Sequence, residues 1–502
     1  MLFLSSIWSP LSWLIMSILY FIGRTLYNIY LHPLAKFPGP LAWSGTRLTW
    51  ILSMSSGSHQ VRIKALHDRY GPIVRVAPDE LSFTDPMATP DIYSKEDRNN
   101  GLPKSEVLFG GQQYRHAFDN NGEEHALLRR KLSPLFTEQA VTNQEPLLQK
   151  YLALMTTNLR NASRAGQTVN IVEWLNWFSF DVVGELAFSE SFNQLDRAQS
   201  HPWPTMITSH LRYSSLSVCL RFYPPLDRLF PLITPRSLHR LKWKFVSMAR
   251  DKVQRRLSRA DSKQLKDMLA SFLPENNSNQ EIMDMETLSG SFTFLIIAGS
   301  ETLATTLAGL INLLCKHPDI MQQLTTELRT VPNVRDLTLS TTAAMPYLNA
   351  VLKEGLRSCH PVPGALARLV PPEGRTIAGH FVPGNTYVGI PFYAAYHSEA
   401  NFPAADEFNP SRWLGEQPTA TQETGAVSNS FYPFAMGGHG CIGQNLARAE
   451  LRLVLAHLLY AFDLEAVGDV SWEDQNCYFL WQKSPFMVRL KDAMPLRDID
   501  MA

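Results

Sequence analysis

Cysteine is scarce in this chain. Its 502 residues hold five, at positions 219, 315, 359, 441 and 477, odd in number, scattered and without a C-x-x-C pair. A disulfide framework and a structural zinc site are both excluded by that pattern, and a reducing compartment follows. Net charge is also missing: Lys+Arg and Asp+Glu each number 46, so neither a nucleic acid nor another polyanion is an expected partner. No period of 20–50 residues recurs, which removes repeat folds. Beyond Pro40 there is no linker or charge block long enough to divide the chain, so residues 41–502 read as a single domain. With 45% hydrophobic residues that domain can bury a large core.

Charged side chains are absent from the first 23 residues, and Leu11–Ile22 is nearly all apolar before Arg24 closes the run. A bilayer span needs roughly 20 predominantly apolar residues. A cleaved signal peptide would carry a positive n-region and a small-residue cleavage site, and neither is present. Residues 1–23 therefore read as a retained N-terminal transmembrane anchor, diluted by Pro10 and several serines. Residues 24–40, with Pro33, Pro38, Gly39 and Pro40, read as a stiff hinge. Its basic residues favour the cytosolic side.

Helical periodicity predicts helices over Glu124–Phe136, Val172–Phe188, Leu238–Leu257, Glu286–Cys315, Met345–Ser358 and Gln444–Tyr460. Gly71–Phe83 and Gly379–Ile390 read as hairpins, the second turning at Pro-Gly-Asn. Pro274–Gln280 reads as a polar loop ahead of the longest helix. The fold class expected is mainly α with a small β-rich corner.

Phe434-Ala-Met-Gly437-Gly-His439-Gly440-Cys441-Ile-Gly443 carries the strongest chemical signal. One cysteine sits in a glycine-rich bend directly ahead of a helix. Glycines let the backbone approach a flat cofactor, and the helix start turns its N–H groups and positive end toward the sulfur, which favours the thiolate. That is a way to hold a thiolate as an axial ligand to iron. A second signal is Ala298-Gly299-Ser300-Glu301-Thr302, just before the apolar stripe Leu303, Leu307, Leu310, Leu314. Gly299 removes a side chain where a bulky group can lie against the helix. Glu301 and Thr302 set an acid beside an alcohol, the tools for delivering protons to a bound oxygen.

The first segment resembles the heme-binding signature of the cytochrome P-450 superfamily, Phe-x-x-Gly-x-(Arg/His)-x-Cys-x-Gly, met at Phe434, Gly437, His439, Cys441 and Gly443. Most members carry Arg where this chain has His439. The second resembles the family's (Ala/Gly)-Gly-x-(Asp/Glu)-Thr motif, with Leu303 where Thr or Ser usually follows. Glu354-Gly-Leu-Arg357 and Pro410-Ser-Arg412-Trp413 resemble two further elements. Together they imply a buried charge network of Glu354, Arg357 and Arg412. The resemblance extends from the hinge to the helix after Cys441. It implies heme b (iron protoporphyrin IX) ligated by Cys441, with Arg129, His125, Arg368 and His439 near its propionates and Glu301 and Thr302 as catalytic groups.

The function implied is insertion of one O2-derived oxygen atom into a lipophilic small molecule. Electrons would come from NADPH through NADPH–cytochrome P-450 reductase, with cytochrome b5 as a further donor, at the endoplasmic reticulum membrane. Pocket walls would come from Pro103–Tyr114, Phe294–Thr302, Val362–Leu366 and Phe479–Trp481. The strings Arg75–Phe83 and Trp174–Phe188 are similar to fungal members of secondary metabolism, which oxidise terpenoids, polyketides and alkaloids, including mycotoxin precursors. Two alternatives stay open: a heme-thiolate isomerase or dehydratase needing no reductase, and a membrane-anchored heme protein without turnover.

Overall fold

Apolar residues at helical spacing put most of the chain into helices, and the ones that build the site share one core. The structure is a computed structural model describing residues 10–94, 101–105, 107, 122–223, 232, 235–261, 264–273, 284–415, 430–468, 471–472 and 474–493. Residues 1–9 of the expected anchor, the loop 274–280 and most of the expected pocket wall 103–114 lie outside the described residues.

Seven helices matter here: α1 (Pro10–Tyr30), α2 (Glu123–Leu132), α3 (Glu138–Arg164), α4 (Ile171–Phe188), α5 (Met285–Lys316), α6 (Pro346–Ser358) and α7 (Gln444–Ala461). Their starts follow the local chemistry. Thr137 caps α3 by accepting from Ala140 N, Asp284 caps α5 by accepting from Thr287 N, and Pro346 opens α6 where a missing N–H costs nothing. The expected helix to Phe136 stops four residues early. With Pro134 in the way, Ser133–Phe136 tightens into a 3-10 turn.

Helix α5 runs through the centre of the core. Its stripe Leu303, Leu307, Leu310 and Leu314 is buried, and α4 lies along it with almost every residue buried. Among the described residues α5 is also the one helix long and apolar enough to cross a bilayer, but 72% of its apolar window is inside the protein. The expected N-terminal transmembrane helix does not meet that criterion over its described part. Helix α1 continues past Gly23 and takes in Arg24 and the polar residues Thr25 and Asn28, which lower its hydropathy. Its outer residues, among them Leu11, Leu14, Leu19, Phe21 and Ile22, are exposed.

The sheets are small. Strands β1 (Ile73–Ala77) and β2 (Glu80–Phe83) form the expected antiparallel hairpin, Ile73 opposite Phe83 and Val74 opposite Ser82. β3 (Arg368–Leu369) and β4 (Tyr387–Gly389) complete a sheet of order β1-β2-β4-β3, with β4 parallel to β2. The second expected hairpin is not formed as predicted. His380–Val382 pairs back with Arg375–Ile377, and β4 leaves for the larger sheet. The reversal happens at Ala378-Gly379, both with positive φ, a two-residue turn that the Pro-Gly-Asn string obscured. Near the C-terminus Cys477–Tyr478 pairs with Leu480–Trp481 around Phe479, whose φ of 69° is unusual for an aromatic residue.

Candidate active site

The cysteine loop is shaped by one close approach. Gly437 has φ 75°, and a Cβ there would overlap the Tyr93 carbonyl oxygen, so glycine is required. Cys441 N then donates to Phe434 O at 2.8 Å, closing the bend. The Gly443 N–H, Arg129 and Arg448 all act to favour the thiolate, as the sequence suggests, but burial outweighs them and the thiol pKa is raised. Cys441 is nevertheless exposed.

Cations surround that loop. Arg129 Nη1 donates to Gly440 O at 2.7 Å. His125, one turn earlier on α2, packs its ring 4.2 Å from that of His439. Burial, with Lys104 and Arg129, pushes His125 down to about 4. Burial, followed by Lys104, His125, Arg368 and Arg129, pushes His439 down to about 2. Both rings are therefore neutral near pH 7, and His439 Nδ1 is buried with no hydrogen-bond partner among the described residues. Arg368 is buried beneath the Tyr93 ring, 5.0 Å from its centroid, and donates to the Leu366 and Ala367 carbonyls. All the charged neighbours that shift the two histidines are cationic, so the pocket edge suits an anionic group.

On α5, Phe294, Ala298 and Thr302 recur every fourth residue and are partly open, while Glu301 and Leu303 are buried. Thr302 Oγ1 donates back to Ala298 O at 2.6 Å. Glu301 does not bond the alcohol. Its carboxylate is held by Lys483 Nζ. A Cβ at Gly299 would meet Val183 Cγ2 at 3.0 Å, so the missing side chain also admits α4, while Gly299 itself is exposed. Val362 and Leu366 are likewise partly open, and Ala365 and Phe479 are exposed. Trp481 is buried, its Nε1 donating to His360 O, and so forms no wall.

The charge network is assembled. Arg357 grips both oxygens of Glu354 at 2.8 and 3.0 Å, and Arg412 Nε donates at 3.1 Å. Trp413 Nε1 adds a bond of 2.8 Å. Burial works to raise the Glu354 pKa, but the Arg357 bonds prevail and lower it.

Sequence reasoning missed Lys104, Lys483 and the Trp413 bond. Lys104 pairs with Arg368 in an isolated bridge that no local pattern signals. A separate polar cavity of about 670 Å³, lined by Glu190, His201, Lys252 and Arg255, shares no residue with this site.

An exposed thiol in a tight loop, a cationic edge and a buried His439 Nδ1 without a partner among the described residues fit a cysteine-held heme with its two carboxylates. Phe434, Gly437 and Gly443 shape the loop that carries Cys441. Comparison with known proteins agrees. A family profile for cytochrome P450 matches residues 38–490. The chain is 35% identical over 486 residues to the cytochrome P450 monooxygenase atr2 of Stereocaulon alpinum, covering 94% of this chain and 93% of that protein. It is 35% identical to the cytochrome P450 monooxygenase cpaH of Aspergillus oryzae, covering 95% and 92%. To the averantin hydroxylase of Dothistroma septosporum it is 35% identical, covering 94% and 89%. These are monooxygenases built on a cysteine-ligated heme, and with a match spanning the hinge to the last strand, this chain belongs to the cytochrome P450 family.

Proposed function

We propose that this monooxygenase inserts one atom of O2 into a lipophilic small molecule, an intermediate of fungal secondary metabolism of terpenoid, polyketide or alkaloid type. The observation that carries the reading is the exposed Cys441 thiol with Arg129 and Arg448 beside it, and Arg129, Arg368, Lys104 and His125 gathered about the neighbouring His439. The heme, when bound, supplies the oxygen activation. Cys441 would be its axial ligand. Arg129 and Arg368 would take the carboxylates, and His439 Nδ1 and His125 would serve as neutral donors. Thr302 and Glu301 would hold and move protons on the α5 side. The partly open apolar side chains Phe294, Ala298, Val362 and Leu366, with the exposed Phe479, support an apolar substrate. One relative is named for hydroxylating averantin, which supports a small organic substrate without naming this one's.

Electrons would come from NADPH through the flavoprotein reductase, with cytochrome b5 as a second donor. The exposed apolar face of α1 supports attachment to the endoplasmic reticulum membrane. The dithionite-reduced, carbon-monoxide-bound spectrum tests the first step: a strongly red-shifted Soret band is expected, and its loss in Cys441→Ala. Turnover then needs both NADPH and reductase. Product formed without either would favour an isomerase or dehydratase, and no product under any condition would favour a binding protein.

A further inference from the structure

The acid of α5 is tied to a residue outside its helix. Lys483 Nζ donates to Glu301 Oε2 and, at 3.2 Å, to Thr305 Oγ1. The two charged side chains are only 5% and 9% exposed, so each meets little bulk water as an alternative partner. Thr305 lies one turn after Glu301, so the carboxylate leans along the helix face that meets the C-terminal segment. Thr302 shares a different face with Phe294 and Ala298, the partly open one. Lys483 is itself fixed. Gln482 N donates to Asn476 O and Ser484 N to Gln475 Oε1, both at 2.7 Å, and Trp481 Nε1 donates to His360 O at 2.9 Å.

We propose that Lys483 is a positioning residue for Glu301: its ammonium holds the carboxylate on the C-terminal side of α5, and Glu301 serves the Thr302 face only when that hold is released. The proton balance is simple. An ionised Glu301 has no proton to give. Transfer of one from the Lys483 ammonium leaves a neutral amine and a neutral carboxyl and dissolves the ion pair. The acid is then free to turn toward Thr302. Lys483 regains its proton from solvent. The inference rests on the monooxygenase reading above.

The test uses the full-length, heme-loaded protein as wild type, K483M, K483R, E301Q and K483M/E301Q. One readout needs no turnover: reductive methylation of lysines by formaldehyde and cyanoborohydride, followed by peptide mass spectrometry. In wild type Lys483 is expected to react at least about tenfold more slowly than exposed Lys491, and to be unmasked in E301Q. The second readout is the fraction of NADPH electrons recovered as hydrogen peroxide with reductase present. That fraction is expected to rise at least about threefold in K483M, to rise likewise in K483R because a guanidinium gives up no proton, and to be no higher in K483M/E301Q than in E301Q. Lys483 labelling as fast as Lys491, an unchanged peroxide fraction in K483M, or a full K483M effect on top of E301Q would each overturn the inference. Should K483M lose its carbon-monoxide band, K483Q takes its place in the peroxide assay, and the labelling contrast stands unaltered. A wild type that consumes no NADPH with reductase would sink the monooxygenase reading and this inference together. A wild type that turns over beside an indifferent K483M sinks the inference alone.

Discussion

A buried carboxylate is tolerated only when donors surround it, and Glu354 collects five: two from Arg357 and one each from Asn409, Arg412 and Trp413. Removing it in Glu354→Ala strands the Arg357 guanidinium in the core, at a cost of about 3–5 kcal/mol. The expected result is loss of soluble, heme-loaded protein on expression. Trp413→Phe removes one bond to a charged acceptor, worth about 1.5–3 kcal/mol, and is expected to lower the unfolding temperature while leaving the absorption spectrum intact. The lowered pKa of Glu354 stabilises the fold above its ordinary value of 4.5, and that stability is lost as pH falls through the lower folded value. Glu450, buried on α7, has the opposite sign. Burial raises it from 4.5 to about 8, so between those values the folded state keeps a proton that the unfolded chain has released. Stability therefore declines as pH rises from 4.5 to about 8, by about 1.4 kcal/mol per pH unit from this group. Glu450→Gln is expected to flatten that decline, measured as denaturant midpoints at pH 6 and pH 8. Equal pH dependence in the two proteins would refute the assignment.

Helices meet where side chains are small, and two glycines of α5 show how unequal such contacts are. A Cβ at Gly309 would lie 2.6 Å from Cys359 Cβ, whereas one at Gly299 would lie 3.0 Å from the tip of Val183. The first neighbour cannot yield without moving backbone; the second can give by a few tenths of an ångström. Overpacking of this kind costs typically about 1–3 kcal/mol. Gly309→Ala is expected at or above the top of that range and Gly299→Ala near the bottom, the latter rescued by Val183→Ala. Thermal unfolding of the three variants decides. The same elements show what the sequence makes legible. Helices α4, α5 and α7 follow from apolar spacing to within a residue or two, since burial of one face is a local pattern. The 375–382 hairpin does not, because its turn is set by two positive-φ residues and the next strand by a partner some 300 positions earlier. Cys441, Glu354, Arg357 and Arg412 sit in short motifs. Lys483 meets Glu301 across 182 residues, and no spacing rule reaches that far.

The chain as a whole is an enzyme globule with an apolar helix fixed to it at one end. Asn28 Nδ2 donates to Gly45 O at 2.9 Å, and the buried Arg75 guanidinium donates to Asn28 O at 2.8 Å and to Pro78 O at 2.6 Å. Arg75 N also donates to Pro38 O at 2.7 Å. The last turn of α1 and the proline segment after it are thus part of the fold, while Leu11–Ile22 project from it. Two truncations separate these roles. Removing residues 1–23 leaves every one of those bonds in place. It is expected to shift the protein from the membrane pellet to the supernatant and to keep the carbon-monoxide band. Removing residues 1–40 takes away Asn28 O and Pro38 O together, leaving one arm of the buried Arg75 guanidinium and a backbone N–H without their acceptors, each a penalty of about 1–3 kcal/mol, while the bonds to Pro78 O remain. That protein is expected to lose the band as well as the membrane. If the shorter truncation stays in the pellet, attachment belongs to the globule; if the longer one keeps its heme, the Arg75 clamp sets the direction of α1 without supporting the fold.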